Sequence, residues 1–276
     1  MKLNLPLKPL TPFLAAAALA GAAAPAAAEQ PLWELGAGAA LLQLPHYRGA
    51  DQSHTWLLPL PYVIYRGERL RADREGARAV LWQTDRLDLD LSLAATPPTR
   101  SKDNEARRGM ADLPTIVELG PNAIWTMAQG RDWKLDLRLP VRAALGLGSE
   151  GGFKGWVATP QLRLGLGEVQ GWRTALTVAA IAQERRYNDV FYRVSAAEVL
   201  PGRPAYQPGG GAAGGYAVAT AARRFGPWWV GSFVRWDTLR GATFRDSPLV
   251  RERDQWSAGI ALAYVFATSS RAGEEQ

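Results

Sequence analysis

Apolar and polar residues alternate along most of the chain beyond residue 29. In the clearest segment leucine occupies the odd positions from Leu87 to Leu93, while the even positions hold Asp88, Asp90 and Ser92. Further segments alternate in the same way, and they begin at Trp133, Trp156, Trp172 and Trp256. A period of two places successive side chains on opposite faces of a β-strand, and no comparable segment has the period of a helix. The pattern predicts an all-β protein.

Tryptophans mark the ends of the predicted strands. One group lies at one end of the strands and comprises Trp33, Trp82, Trp125, Trp133, Trp172 and Trp228, and a second lies at the other end and comprises Trp56, Trp156, Trp236 and Trp256. Two aromatic belts separated by one strand length are typical of a barrel that spans a membrane. A soluble β-protein would bury its tryptophans in the core instead. Trp229 is the exception, since its position in the alternation places it on the inner face.

Short and long connections alternate between the predicted strands, as they do in transmembrane antiparallel up-and-down β-barrels. The alternation holds only if the segment after the second strand is split into Arg69–Asp73 and Ala77–Trp82. This split predicts twelve strands. Ten is the alternative if the short pair lies outside the barrel wall.

The N-terminus has the features of a cleaved export signal. Lys2 and Lys8 precede an apolar stretch, and the small residues Ala26–Ala28 precede Glu29. We predict a signal peptide at residues 1–28, an outer-membrane barrel at residues 29–266 and a polar C-terminal tail at residues 267–276. The chain contains no cysteine, which excludes disulfides and thiolate chemistry.

The polar positions of the predicted strands form a charged inner face. Its candidate lumen residues are Asp88, Asp90, Lys134, Asp136, Arg138, Arg142, Arg163 and Arg173. One hypothesis is a lattice of paired charges that fills a narrow barrel, with each carboxylate held by an arginine. The other is a selective pore or a binding site for a small polar solute. The sequence leaves both open.

The sequence argues against an enzyme. Its two histidines, His46 and His54, lie in one short outer loop near Asp51 and Ser53, whereas a barrel hydrolase needs a nucleophile and a histidine held together by the fold. We predict no catalytic residue, no cofactor and no metal site.

The net charge of +6 does not imply a nucleic-acid partner, because basic residues are interspersed with acidic ones and no basic block carries stacking aromatics. The expected surroundings are outer-membrane lipid and lipopolysaccharide. The phosphates of the latter could contact Arg100, Lys102, Arg107 and Arg108 in an outer loop, although a solvated loop with acidic neighbours is the favoured interpretation of these residues.

The longest outer connection is the best candidate for specific binding, because it is longer than joining two strands requires. Its candidate interaction residues are Tyr187, Phe191, Tyr192, Arg203 and Tyr206. The loop either displays a partner surface or folds into the barrel mouth. A surface adhesin or antigen that acts through this loop is a further alternative.

Several ordered motifs resemble the MipA/OmpV family of MltA-interacting outer-membrane proteins. They are Tyr47–Asp51, Tyr65–Arg69, Ala106–Leu113, Glu118–Gly120, Arg203–Tyr206 and Ser247–Val250. One departure is Phe191–Val194, which lacks a glycine before the valine. The resemblance implies an outer-membrane barrel that serves as a scaffold between a lytic murein transglycosylase and a murein synthase. Other members of the family look like adhesion or antigenic proteins.

Overall fold

The computed structural model describes residues 31–73, 76–148 and 151–271 of the chain. The predicted signal peptide and the last residues of the predicted tail lie outside these ranges. The strands are β1 (Trp33–Pro45), β2 (Ser53–Arg66), β3 (Leu70–Asp73), β4 (Gly76–Gln83), β5 (Leu87–Thr96), β6 (Ile116–Gln129), β7 (Trp133–Gly146), β8 (Gly152–Ala158), β9 (Gln161–Val169), β10 (Trp172–Gln183), β11 (Gly211–Phe225), β12 (Trp228–Thr238) and β13 (Asp254–Thr268).

The strands form one closed antiparallel barrel, in which β1 pairs with both β2 and β13. Strands β8 and β9 both pair with β7 and β10, so they are two halves of one barrel strand. Thr159 and Pro160 interrupt that strand, because proline has no N–H to donate to the ladder. The thirteen segments therefore make twelve barrel strands. The predicted twelve-stranded barrel is confirmed, and the short pair β3 and β4 belongs to the wall.

The outer face of the barrel is apolar, as the alternation predicts. Leu57, Trp256 and Phe266 are 73%, 68% and 62% exposed, whereas Asp136 on the inner face is 3% exposed. Aromatic pairs mark the lower belt, where Trp228 meets Tyr264 and Trp172 meets Phe225. In the described part of the chain no helix is long and apolar enough to cross a membrane.

The two ends of the barrel differ in their connections. The lower end carries five short turns and the start of β1. The upper end carries the long connections, which contain the helix α1 (Arg185–Tyr192) and short 3-10 turns at 101–103, 105–107 and 196–198.

The upper connections pack together into a structure that we call the cap, formed by residues 46–52, 97–115, 184–210 and 239–253. Its apolar core includes Tyr47, Leu113, Tyr187, Phe191, Tyr192, Leu239 and Phe244, and it continues into the upper strands. Tyr192 stacks on Phe244 with ring centroids 3.8 Å apart. The cap fills the outer mouth of the barrel.

Candidate functional site

A cavity of about 950 Å³ occupies the barrel lumen beneath the cap. Its walls are chemically different. Seven basic side chains and two acidic ones contribute to its lining, and a group of apolar side chains lines the other side. The basic wall comprises Arg66, Arg71, Arg78, Lys134, Arg138, Arg163 and Arg173. The apolar wall comprises Leu42, Leu58, Leu60, Ile64, Trp229 and Phe233.

Most of the candidate lumen residues line this cavity. They are Asp88, Lys134, Asp136, Arg138, Arg163 and Arg173. The Asp136 carboxylate lies 3.5 Å from Nη2 of Arg138 and 3.8 Å from Nζ of Lys134. Arg173 lies 3.5 Å from the Glu168 carboxylate, and both side chains are about half exposed. Charge pairs of this kind coexist here with a cavity, so pairing does not fill the lumen completely.

Asp90 and Arg142 lie on the inner face but do not line the cavity. Asp90 accepts a hydrogen bond of 3.0 Å from the Asn122 amide. Arg142 donates through Nε to the Ser92 hydroxyl at 2.9 Å, and its Nη1 lies 3.7 Å from the Glu118 carboxylate. The contacts of these two residues join β5, β6 and β7 on the inner face of the barrel.

The apolar wall was not predicted from the sequence. It is carried by β1, β2 and β12, and the Leu42 and Phe233 side chains cover the backbone of β13 at Gly259. A Cβ at that glycine would come within 2.6 Å of both side chains, so only glycine leaves room for them. The sequence did contain a sign of this wall, because the run from Leu57 to Ile64 is apolar on both faces of its strand.

A buried ion cluster lies at the lower end of the lumen. Glu34 is 2% exposed and accepts hydrogen bonds from Arg66, at 2.7 Å, and from Arg224. Arg66 also donates to the carbonyl oxygen of Pro31 at 2.7 Å. Beside this cluster Trp229 packs on Tyr62, with ring centroids 5.5 Å apart, on the inner face where its position in the alternation placed it. The cluster ties β1 to its neighbour β2 and to β11, which lies three strands away around the barrel.

Buried polar contacts join the cap to the barrel. The Tyr187 hydroxyl donates to Glu118 at 2.9 Å, and the Tyr192 hydroxyl donates to the carbonyl oxygen of Arg48 at 2.8 Å. Burial, with the nearby Glu118 carboxylate, raises the pKa of Tyr187 well above its usual value. Burial likewise raises the pKa of Tyr47 to about 12. These phenols remain protonated donors at physiological pH.

The candidate interaction residues of the long outer loop lie within the cap. Tyr187, Phe191 and Tyr192 are buried in its core, and Tyr206 packs against it. Arg203 is 5% exposed and donates to the carbonyl oxygens of Ala106, Arg108 and Glu198. The loop therefore folds into the barrel mouth, which is one of the two arrangements expected for it.

The basic residues of the 97–115 loop are placed unequally. Arg100, Lys102 and Arg108 are exposed on the outer surface. Arg107 is buried and donates to the carbonyl oxygens of Phe191 and Ala111, at 3.0 and 3.1 Å. Burial lowers the pKa of Arg107. Only the three exposed residues are accessible to a phosphate group.

The two histidines were predicted to share one outer loop, but only His46 lies in the cap; His54 is the second residue of β2, and the two ring centroids are 6.5 Å apart. His46 Nδ1 lies 3.2 Å from the Asn104 amide nitrogen. Within the described ranges, no serine or threonine hydroxyl is hydrogen-bonded to either imidazole, and no cluster of three or more potential metal ligands occurs.

The closed barrel, the apolar outer belt and the polar lumen define an outer-membrane β-barrel protein. The chain belongs to the MipA family, since the family model described as MltA-interacting protein MipA matches residues 35–266. This match confirms the resemblance inferred from the sequence motifs.

Solved outer-membrane barrels are similar to this chain at low identity. An outer-membrane channel from Pseudomonas putida F1 is 13% identical with a TM-score of 0.43, over 88% of this chain and 99% of the channel. A bacterial polysaccharide outer membrane secretin is 8% identical with a TM-score of 0.43, over 86% of this chain and 99% of that protein. A search of curated proteins finds no match.

Proposed function

We propose that this protein is a non-enzymatic interaction protein of the outer membrane, which holds a lytic murein transglycosylase and a murein synthase at the inner surface of that membrane. The description of its family as MltA-interacting protein supports this role. The structural observation that carries the proposal is the cap, because a barrel whose outer mouth is filled by an apolar core is poorly suited to passive diffusion.

The lower rim is the surface that such partners would contact. Its short turns expose alternating charges, which include Glu68 and Arg69, Asp85 and Arg86, and Arg131 and Asp132. Charged rims of this kind steer association and set specificity more than they add affinity. The outer surface faces away from murein and cannot serve this purpose.

Affinity capture from solubilised outer membranes tests the proposal. We expect the wild-type protein to enrich a murein transglycosylase, and the double variant Arg86→Glu with Arg131→Glu to lose most of that enrichment. Lys102→Glu reverses a charge at the opposite end of the barrel and is the matched control. Absence of any murein enzyme from the wild-type capture would refute the scaffold role.

Solute binding or transport within the lumen is the second candidate, and the cavity of about 950 Å³ favours it. Single-channel recording of the refolded protein separates the two functions. A capped barrel should be electrically silent. Stepwise conductance whose ion selectivity changes when Asp88 and Asp90 are both replaced by alanine would instead establish a pore.

A further inference from the structure

One seam of the barrel wall is not closed by hydrogen bonds over its full height. Strand β3 contains four residues and pairs with β2 only at Tyr65 and Arg66. The described pairing of β4 with β5 ends at Arg78 and Ser92. Above these pairs, and within the described residues, no backbone hydrogen bond joins β2 to β5. We call this interval, between β2 at Leu57–Val63 and the upper end of β5, the seam.

The direction of the β2 backbone indicates that the seam is built into the sequence. The Arg66 N–H donates toward β1, to the carbonyl oxygen of Leu32 at 2.7 Å. In an antiparallel strand alternate residues point their N–H and C=O groups to opposite sides, and the pairing of β2 with β1 has no irregularity. The odd-numbered residues of β2 therefore face the seam.

Two of those odd-numbered residues are Pro59 and Pro61. Neither has an N–H group, so this edge of β2 lacks two of the donors that a neighbouring strand would need. Prolines on an edge strand prevent it from pairing with another strand. A strand paired along this edge would have two carbonyl oxygens with no N–H donor opposite them. The two prolines therefore disfavour a continuous hydrogen-bonded ladder here.

The seam is bounded at its outer end. The Thr99 hydroxyl donates to the carbonyl oxygen of His46 at 2.6 Å, and the Glu105 N–H donates to the Gln52 side chain at 2.6 Å. The loop that follows β5 is thereby fastened to the loop that precedes β2. The seam is thus a window in the hydrogen-bonded wall, with β2 on one side, β5 on the other, the described residues of β3 and β4 below and the cap above.

The window leads to the boundary between the two walls of the cavity. Leu58, Pro59 and Leu60 line the cavity from the β2 side, while Arg71 and Arg78 line it from the short hairpin below the window. Leu57, beside them on the outer face, is 73% exposed toward the membrane. The seam therefore lies between the lipid-facing surface and the place where the apolar wall meets the basic wall.

We propose that this cavity binds a single-chain amphiphile with an anionic head group, which enters from the bilayer through the seam. The lining has seven basic and two acidic side chains. Two of the basic ones, Arg66 and Arg173, pair with Glu34 and Glu168 outside the lining, and the remaining lining charges are still mostly basic, which favours an anionic head. The apolar wall buries the hydrocarbon tail, whose transfer gives roughly 0.8 kcal/mol for each methylene group. Entry from the membrane is favoured because the cap fills the outer mouth. This site is independent of the scaffold role.

Photo-crosslinking in lipid nanodiscs tests the proposal. The probe is palmitate that carries a diazirine near the end of its chain, and the labelled peptides are mapped by mass spectrometry. We expect labelling on the inner face of β2 and on Phe233. The variant Leu60→Trp fills the lumen beside the seam and should reduce this labelling at least about fivefold, the loss expected when a tail of several methylene groups is excluded.

Three controls keep the experiment decisive. Leu176→Trp adds the same ring to a lipid-facing position on β10, away from the seam, and should leave the lumen labelling unchanged. Arg163→Gln removes one charge from the basic wall and should weaken labelling about tenfold, whereas Arg223→Gln at the lower aromatic belt should not. Heat-modifiable mobility on SDS gels establishes that each variant is folded.

The chain has no cysteine, so a single introduced cysteine can be labelled selectively and used to block the window. Pro59→Cys modified with a bulky maleimide should slow labelling of Phe233, whereas the same label on Leu176→Cys, on a lipid-facing strand position, should not. Equal lumen labelling by a cationic amine of the same chain length would overturn the proposal. Labelling confined to the outward residues of β2 would also overturn it, since that result describes lipid around the barrel only.

Discussion

The cap and the lower lumen are built by opposite means. The cap is filled by apolar side chains, and Leu239 and Phe244 at its core are essentially without solvent exposure. The lower lumen has a cavity of about 950 Å³ with seven basic and two acidic side chains in its lining. A protein interior is normally close-packed, so a hollow with excess charge costs free energy that other regions must offset.

This difference separates two roles within one barrel. The cap supplies contacts between parts of the chain that are far apart in sequence, as when Tyr192 bonds to Arg48. The lower lumen instead keeps its basic and apolar walls apart around the cavity, and its apolar packing is confined to a smaller cluster of Tyr62, Ile64, Ala263 and Val265. We therefore expect substitutions in the cap to affect stability, and substitutions in the lower lumen to affect ligand contact with little loss of stability.

The largest effect is expected from Phe244→Ala. Phe244 is fully buried against Tyr192, and truncation of a buried phenylalanine costs about 3–5 kcal/mol because it leaves a cavity. Urea unfolding in lipid vesicles, followed by tryptophan fluorescence, measures the free energy of unfolding. Phe225→Ala in the exposed lower belt is the control and should lose much less. Equal losses would contradict the comparison between the two regions.

A smaller effect is expected from Arg107→Met, which preserves most of the side-chain volume. The substitution removes the guanidinium that binds the Phe191 and Ala111 carbonyl oxygens, and the loss of these buried hydrogen bonds costs about 2–3 kcal/mol. The cap should also become sensitive to protease between residues 97 and 115. The exposed neighbour Arg108→Met should leave both the unfolding free energy and the protease resistance near wild-type values.

Next in size is Tyr187→Phe, which removes a single hydroxyl group. The buried Glu118 carboxylate then loses its 2.9 Å hydrogen bond, and we expect a loss of about 1–2 kcal/mol in the same urea titration. Tyr264→Phe, on the lipid-facing side of β13, removes the same group from an exposed position and should change stability less. A greater loss of unfolding free energy in Tyr264→Phe than in Tyr187→Phe would contradict the assignment of the stabilising hydroxyl to the cap.

The barrel could be predicted from sequence because its signal is local. Alternation identifies each strand and its inner face, and alternating loop lengths required the short pair β3 and β4. The cap could not be predicted in the same way. Tyr187, Phe191 and Phe244 occur in connections without periodicity, and their partners lie far away in the chain.

Only the charged part of the lumen could be predicted from the sequence, because only charged positions contrast with their neighbours along the strand. Charged positions such as Asp136 and Arg138 stand out against apolar neighbours, so their inward direction is readable. The apolar wall has no such contrast, because Leu58 and Leu60 stand beside the equally apolar Leu57. Pro59 and Pro61 did carry a usable signal, since proline in a strand indicates an unpaired edge.

The smallest predicted effect concerns pH at the edge of the cap. Burial, together with the charge of His54, lowers the pKa of His46, while Asp103 and Asp51 act in the opposite direction. The Asn104 side-chain oxygen accepts from the Arg107 N–H, so its amide nitrogen faces His46, and the neutral imidazole Nδ1 accepts from it. A protonated Nδ1 would place two donors against each other and loosen the loop that bounds the seam.

The sign of the pH effect follows from the lowered pKa. Below pH 6.5, the ordinary histidine pKa, His46 is protonated in the unfolded chain while it is still neutral in the folded protein. The free energy of unfolding therefore falls as the pH decreases toward the folded pKa of His46. Because the imidazole is partly exposed, solvent screening should keep the loss under about 1 kcal/mol. Urea titrations at several pH values should show this slope in wild type and not in His46→Gln. His54→Gln is the matched control and should retain most of it. A slope that persists undiminished in His46→Gln would assign the titration to another group and leave the loop tether independent of pH.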